Sequence, residues 1–408
     1  MHLKLGETST IVVSSPKIAK EVLKTSDPTF AARPGTLALE IISYNHAAIS
    51  FSPHNDYWRQ MRRICIIELL SAKQVKSFGS IRNDEVLNLV KSIRSSAGKP
   101  INLTEKIIST MSATTCRVAF GKGGFDLADL FPSSTMLKTL SWNKLKLLAM
   151  RRKLDEILDD QTGDSKRKGN GEFGNEDLVD VFLRIKESGE LQFPIDNDKI
   201  KAVISEMFSA GTESSSSTIN WTMAELMRNP SVMAKAQAEA RETFNRQKTT
   251  DTQNLKYLKL VIKETLRLHS PLPLIPRASR EDCEVNGYFI PANAKVFVNT
   301  WEIERDPKYW TNPESFQPER FENNPIDLTG NNFEYLPFGS GRRICPGLTF
   351  GLTGVELPLA QLLYNFNWKL PEGISLDNLN MIENSGMTAS RKEDLYLFAD
   401  PFPNDFSS

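Results

Sequence analysis

"FEYLPFGSGRRICPG", Phe333 to Gly347, decides how this chain is read. Three glycines, two prolines and the adjacent Arg342 and Arg343 crowd around one cysteine, Cys345, and an apolar stretch of helical character follows. Glycine is favoured wherever φ must be positive or the backbone must approach something closely. A cysteine fixed just before a helix lies near the positive end of its dipole, so the spacing predicts a lowered pKa and thiolate character. A Gly-rich turn around an inert, buried cysteine is the plainer alternative. The density of Phe338-x-x-Gly341-x-Arg343-x-Cys345-x-Gly347 favours a thiolate held in a rigid loop.

The rest of the composition narrows the function by exclusion. At 408 residues the chain is long enough to bury a large core. Lys+Arg and Asp+Glu each number 50, so the net charge is zero, unlike the basic profile of a nucleic-acid binder. Cys65, Cys116, Cys283 and Cys345 are far apart and form no CxxC pair, which argues against a disulfide framework. His2, His46, His54 and His269 offer no paired spacing for zinc. No run of about 18 apolar residues predicts a spanning helix, and no signal peptide is visible.

Periodicity predicts a mainly α protein with a minor β part. Met1–Leu5 and Thr10–Val13 read as strands turning at Gly6, and Ser15-Pro16 as a helix start. Tyr57 to Phe120 is helical, with apolar residues three and four apart. Asp159 to Asp177 is polar and Gly-rich, hence a loop. Asp196 to Arg228 is the longest helix, followed by helices at Val232–Phe244 and Leu255–Leu268. Asn286-Gly287 is a hairpin signal between two short strands, and Lys295–Asn299 continues as a strand. Asp306 to Phe338 reads as irregular, and Leu348 to Tyr364 as the last helix.

Three further stretches break local rules. "SAGTESSSS", Ser209 to Ser217, puts Gly211 and four serines inside the longest helix. Gly211 costs about 1 kcal/mol there relative to Ala, and mid-helix hydroxyls bond backward to carbonyls. Ala210-Gly211 would let a flat ligand lie close, with Glu213 and Ser214 adding an acid and a hydroxyl. An ordinary helix contact of small residues is the alternative. "KETLRL" puts Glu264 and Arg267 on one helix face, which by itself suggests only a surface pair worth a few tenths of a kcal/mol. "YWRQMRR" puts Trp58 and Arg62 four apart, a donor pair suited to a carboxylate.

Taken together, in this order, the motifs are similar to those of the cytochrome P-450 heme-thiolate monooxygenases. The chain resembles most the plant A-type branch that includes terpenoid hydroxylases. "PFGSGRRICPG" is similar to the heme-binding loop, "KETLR" to the ExxR helix and "PERF" (Pro318 to Phe321) to the meander arginine segment. "AGTESS" is similar to the oxygen-activating stretch and "WRQMR" to the propionate-binding helix. The resemblance implies a cytochrome P-450 fold with heme b between the long central helix and the Cys-loop helix. Cys345 then matches the axial thiolate and metal ligand, and Phe338 the aromatic beside it. Trp58, Arg62, Arg277 and Arg343 match the groups that pair the heme propionates. Glu264, Arg267 and Arg320 match a structural trio. Glu213-Ser214 matches the family's acid–threonine pair, serine keeping the hydroxyl for proton relay. Substrate contacts are implied for Leu39 to Ile49, Ala210, Leu272 to Ile275, and around Met387.

The implied activity is NADPH-dependent hydroxylation of a lipophilic small molecule, such as a terpenoid. NADPH acts indirectly: an NADPH–cytochrome P-450 reductase passes two electrons one at a time, and dioxygen supplies the inserted atom. The resemblance implies the cytosolic face of the endoplasmic reticulum membrane, with peripheral membrane contact and no nucleic acid. Residues 1–408 are expected to form one domain that starts after the family's membrane anchor and Pro-rich hinge. The step from Phe120 into "GKGGFDLADLFPS" predicts an internal deletion near residues 121–124, at the place of a helix that roofs the pocket. Two rival functions stay open: a heme-thiolate isomerase or dehydratase, and a truncated, non-catalytic relative.

Overall fold

A computed structural model describes residues 1–120, 151–152, 155–156, 178–188, 194–247, 251–384 and 386–403. The expected loop at 159–177 and the expected deletion near 121–124 lie outside them.

Four strands form the main sheet: β1 (His2–Leu5), β2 (Thr8–Val13), β4 (Leu274–Ala278) and β7 (Lys295–Asn299). Their order is β1-β2-β7-β4, with β2 and β7 parallel and the other pairs antiparallel. The β1–β2 turn falls at Gly6, whose φ is +63°. A second sheet orders β3 (Ile101–Asn102), β9 (Tyr396–Pro401) and β8 (Phe366–Lys369). The hairpin β5 (Cys283–Val285) to β6 (Tyr288–Ile290) turns at Asn286-Gly287, both at positive φ as a two-residue hairpin of this type requires. Four of these strands were not foreseen: β3 interrupts the stretch read as helical, β4 lies where only substrate contacts were expected, and β8 and β9 carry no turn signal strong enough to mark them.

Eight longer helices, with several short ones such as Pro16–Lys20 and Leu37–Ile42, account for most of the remaining described structure. The eight are α1 (Asp56–Ile64), α2 (Gly79–Arg94), α3 (Leu103–Phe120), α4 (Leu178–Ser188), α5 (Asn197–Arg228), α6 (Pro230–Gln247), α7 (Lys256–Leu268) and α8 (Leu348–Asn365). Asp196 caps α5 by accepting the Lys199 amide at 2.9 Å. The 32-residue α5 runs through the centre, against α3, α8 and α7. Its C-terminal half is buried on every side: Ile219, Trp221, Met223, Ala224 and Leu226 have no exposed surface. Such a helix is favoured by burial rather than by propensity, each fully buried large side chain contributing about 1.5–3 kcal/mol. Leu359, Leu362 and Leu363 of α8 join it in the largest core cluster. No described helix is long and apolar enough to cross a membrane.

Candidate active site

The Cys345 loop is held from several sides. Cys345 N–H donates to the Phe338 carbonyl at 2.9 Å, and Gly339 N–H to that of Leu336 at 2.9 Å. Ser340 Oγ donates to the Gly330 carbonyl at 2.5 Å, and Arg342 N–H to Asp27 Oδ2 at 2.8 Å. A 3₁₀ turn at Gly341–Arg343 precedes the cysteine, and α8 begins three residues after it. Gly341 has φ +71°, and a methyl group there would overlap the Leu23 carbonyl oxygen. No other residue fits. Phe338 packs at the edge of the largest core cluster.

The four cysteines separate cleanly. Cys65 and Cys116 are buried in apolar surroundings, Cys283 lies in β5, and Cys345 is open. Yet burial pushes the Cys345 thiol above its ordinary range, against the Gly347 amide and the Arg62 charge. Both facts hold when the sulfur faces an internal hollow. The expectation of a lowered pKa is thereby corrected: in the bare chain desolvation outweighs the helix end. A metal reverses that balance, because a coordinating thiol is deprotonated outright.

Ala210, in the middle of α5, is exposed, and Ser214 beside it is half-buried. Ser214 Oγ donates to the Ala210 carbonyl at 2.6 Å. Glu213 turns elsewhere: the Thr388 side chain bonds it, and burial raises its carboxyl above the ordinary range. Thr212 is buried against Thr115. A Cβ on Gly211 would stand 3.4 Å from the Phe350 ring of α8, an ordinary contact. Phe350 is five residues beyond Cys345, which makes the small-residue step of α5 and the cysteine loop neighbours.

Glu264 and Arg267 are fully buried, unlike a lone surface pair. Arg267 Nε and Nη2 each donate to Glu264 at 2.9 Å, and Arg320 Nε donates to its Oε1 at 2.9 Å. The Gln317 amide adds a fourth bond at 2.9 Å, and Arg267 Nη1 reaches the Glu304 carbonyl at 2.8 Å. The trio ties α7 to the irregular stretch before the cysteine loop.

Beside that loop lies a cluster of cations. Burial lowers the pKa of Arg33, Arg62, Arg277 and Arg343 as the first cause for each, and neighbouring guanidinium groups lower Arg33, Arg277 and Arg343 further. Arg343 is pushed down to about 9, Arg33 to about 10, and Arg277 well below its usual value. Their donors go mainly to carbonyl oxygens: Arg343 to Ala31, Ile49 and Ser52, Arg62 to Ile344, Arg33 to Ser50 and Pro276, Arg277 to Pro276 and Ser340. Arg277 Nε is buried with no partner. Trp58 stacks under the group, 4.5 Å from Arg343 and 5.4 Å from Arg62. Its Nε1 donates to the Ile49 carbonyl at 3.0 Å. The carboxylates among the charges acting on these arginines are Asp27 and Glu206. Arg33 and Glu206 were not picked out from sequence, because neither sits in a dense motif.

The segments expected to touch substrate divide. Leu39 and Leu272 are half-buried, and Met387 is 55% exposed on the turn bearing Thr388. Ser217 Oγ and Trp221 Nε1 both donate to the Ala389 carbonyl, fixing that turn to α5. Ile49 and Ile275 are different. Ile49 packs in the core with Trp58, Met61 and Phe208, and Ile275 packs with Val296 and Val298. On β4 the open apolar side chain is Leu274, 44% exposed, because strand alternation points neighbours to opposite faces.

The chain matches the family described as Cytochrome P450 over residues 1–129 and 122–396. The chain belongs to the cytochrome P450 family. It is 54% identical to premnaspirodiene oxygenase of Hyoscyamus muticus and 55% identical to 5-epiaristolochene 1,3-dihydroxylase of Nicotiana tabacum. Each alignment spans 98% of this chain and 86% of the relative. A zebrafish cytochrome P450 solved with abiraterone has the same fold, with a TM-score of 0.87 at 24% identity over 99% of this chain and 96% of that one.

Cytochrome P450 proteins are heme monooxygenases with a cysteine thiolate on the iron, acting with dioxygen on lipophilic substrates, and this chain is one. The residues present fit heme. Two buried and two half-buried guanidinium groups, with an unpartnered Nε among them, suit a ligand carrying two carboxylates. An open cysteine in a rigid loop beside them suits its iron.

Proposed function

We propose that this chain hydroxylates a lipophilic hydrocarbon, a terpenoid by the names of its relatives, with Cys345 as the heme iron's thiolate ligand. The observation that carries the assignment is the contrast among the cysteines. Cys345 is open in a rigid loop beside the cation cluster, whereas Cys65 and Cys116 are sealed in apolar core. Arg62, Arg277 and Arg343 would hold the heme carboxylates, with the Trp58 indole among them. Once bound, heme supplies the activation of dioxygen, and the thiolate's electron donation favours O–O cleavage, an established property of this family. The chain's own residues do the rest. The apolar side chains of Leu39, Leu272, Leu274 and Met387 would exclude water and orient the substrate. The Ser214 hydroxyl, held by the Ala210 carbonyl, and the half-buried Glu213 would pass protons inward. Glu264, Arg267 and Arg320 would hold the cysteine loop in register.

Family membership supports an NADPH–cytochrome P-450 reductase as electron donor and a place on the cytosolic face of the endoplasmic reticulum membrane, in peripheral contact with it. Retention of Glu213-Ser214 favours oxygenation over peroxide rearrangement, which needs no proton delivery to dioxygen. The test is the ferrous–carbon monoxide difference spectrum. Wild type should give the thiolate-type Soret band, and Cys345→Ala should abolish it while Cys65→Ala, Cys116→Ala and Cys283→Ala keep it. A Cys345→Ala protein with that band intact would overturn the assignment.

A further inference from the structure

Glu206 lies on α5 one turn before Ala210, and the functional reading above leaves it without a task. Its Oε1 accepts the Ser50 amide at 2.6 Å. Its Oε2 is buried without a partner. Ser50 directly follows the segment Leu39 to Ile49 that was expected to meet substrate.

Other side chains hold the same backbone by its carbonyls. Tyr57 OH donates to Ala47 at 2.7 Å, Arg33 Nε to Ser50 at 2.8 Å, and Arg343 Nη2 to Ser52 at 2.6 Å. Trp58 Nε1 and Arg343 Nη1 share the Ile49 carbonyl at 3.0 and 3.1 Å. Trp58 and Arg343 are two of the groups assigned to the heme carboxylates, so their grip on the segment competes with that task. Glu206 has no such rival claim. It is also the acceptor that takes the Ser50 amide, and its charge opposes that of Arg33. Charge-assisted bonds of this kind are roughly twice as strong as neutral ones.

We propose that Glu206 is a positioning residue that fastens the backbone of residues 47–52 to α5 and so sets the substrate side of the hollow near Ala210. It would not touch the reacting atoms. It would act through Ser50, whose amide it holds, and through Arg33.

The proposal rests on the monooxygenase reading of the same hollow, and the test separates the two. Glu206→Ala and Glu206→Gln are prepared as heme-loaded full chains and compared with wild type. The readouts are hydrogen exchange over 47–52, KM and kcat on a hydrocarbon substrate that wild type turns over, and the carbon monoxide spectrum. Glu206→Ala should keep the thiolate band, speed exchange over 47–52 roughly tenfold or more, the scale of losing a charged hydrogen bond, and raise KM several-fold with a smaller change in kcat. Glu206→Gln keeps an acceptor oxygen and loses the charge, so it should move both readouts in the same direction by less. Should Glu206→Ala fail to fold, the Gln variant decides alone. Unchanged exchange over 47–52 in a loaded variant overturns the proposal, as does a fall in kcat at constant KM. Absence of the thiolate band in wild type would instead sink the functional reading.

Discussion

Ser214 stands one helical turn from Ala210 and donates to its carbonyl at 2.6 Å. That bond directs the hydroxyl proton along the helix and leaves the oxygen's lone pairs open. A threonine would stiffen the first side-chain torsion through its β-branch. Serine lacks that restraint, so its hydroxyl spends more time out of position. Ser214→Thr is therefore expected to raise the product formed per NADPH consumed, and Ser214→Ala to lower it, with hydrogen peroxide making up the difference. Equal coupling in all three proteins would move the relay to Thr212 or Ser215, which are buried neighbours on the same helix. The sequence could name this pair of residues, Glu213 and Ser214, but not their divergence. Glu213 leans to Thr388 across 175 positions of chain, a partner that no local pattern announces.

At the scale of elements, α7 and the stretch around Pro318–Phe321 are joined by one carboxylate. Glu264, itself fully buried, takes bonds from the buried Arg267, the half-buried Arg320 and the Gln317 amide. Removing it leaves two guanidinium groups without their counter-charge, and breaking a buried pair typically costs about 3–5 kcal/mol. Glu264→Ala should lower soluble yield and heme content together, measured by the ratio of Soret to protein absorbance. A variant with full heme and no turnover would mean that Glu264 acts in catalysis instead. Gly341 makes the same point for the cysteine loop. With its positive φ and the Leu23 carbonyl against it, Gly341→Ala should lose heme as well.

For the whole molecule, two buried charge groups set how stability answers to conditions. The arginine cluster repels itself until an anion arrives. Arg277→Met should therefore stabilise the heme-free chain, by on the order of 1–3 kcal/mol since replacing buried charge by apolar bulk is often favourable, and weaken heme retention. Urea titration of both forms would show the two opposite signs; a loss in both would mean the cluster is already satisfied. Glu304 responds to pH. It is fully buried with Oε1 on the Leu336 amide, and burial pushes its carboxyl from 4.5 up to about 8 despite Arg267 and Arg305. Below about 4.5 both folded and unfolded chains hold this proton. Between about 4.5 and 8 only the folded chain does, so stability falls as pH rises, by up to about 1.4 kcal/mol per unit. Above about 8 the term is constant. Glu304→Gln removes it, so the variant should gain on wild type as pH rises from 5 to 8. A variant that loses ground over that range would show that Glu304 is ionised in the fold.

The sequence by itself determined most of the longer helices, though not α4, along with the hairpin at Asn286-Gly287 and the cysteine loop. Helical periodicity, paired turn residues and a run of glycines are local, and each is written in consecutive residues. It also marked Trp58, Arg62, Glu264, Arg267 and Arg343, since each sits in a motif of fixed spacing. Only the tertiary structure decided which of them meet. Arg277 and Arg33 join Arg62 and Arg343 across more than 300 positions through sheet pairing and loop contacts. Ile49 and Ile275 turned into the core because apolar side chains in a half-buried strand or loop can face either way. The Cys345 thiol was raised where its helix end alone predicted lowering. Each reversal has one cause: burial and neighbour charge are sums over the whole fold, and no local stretch of sequence contains them.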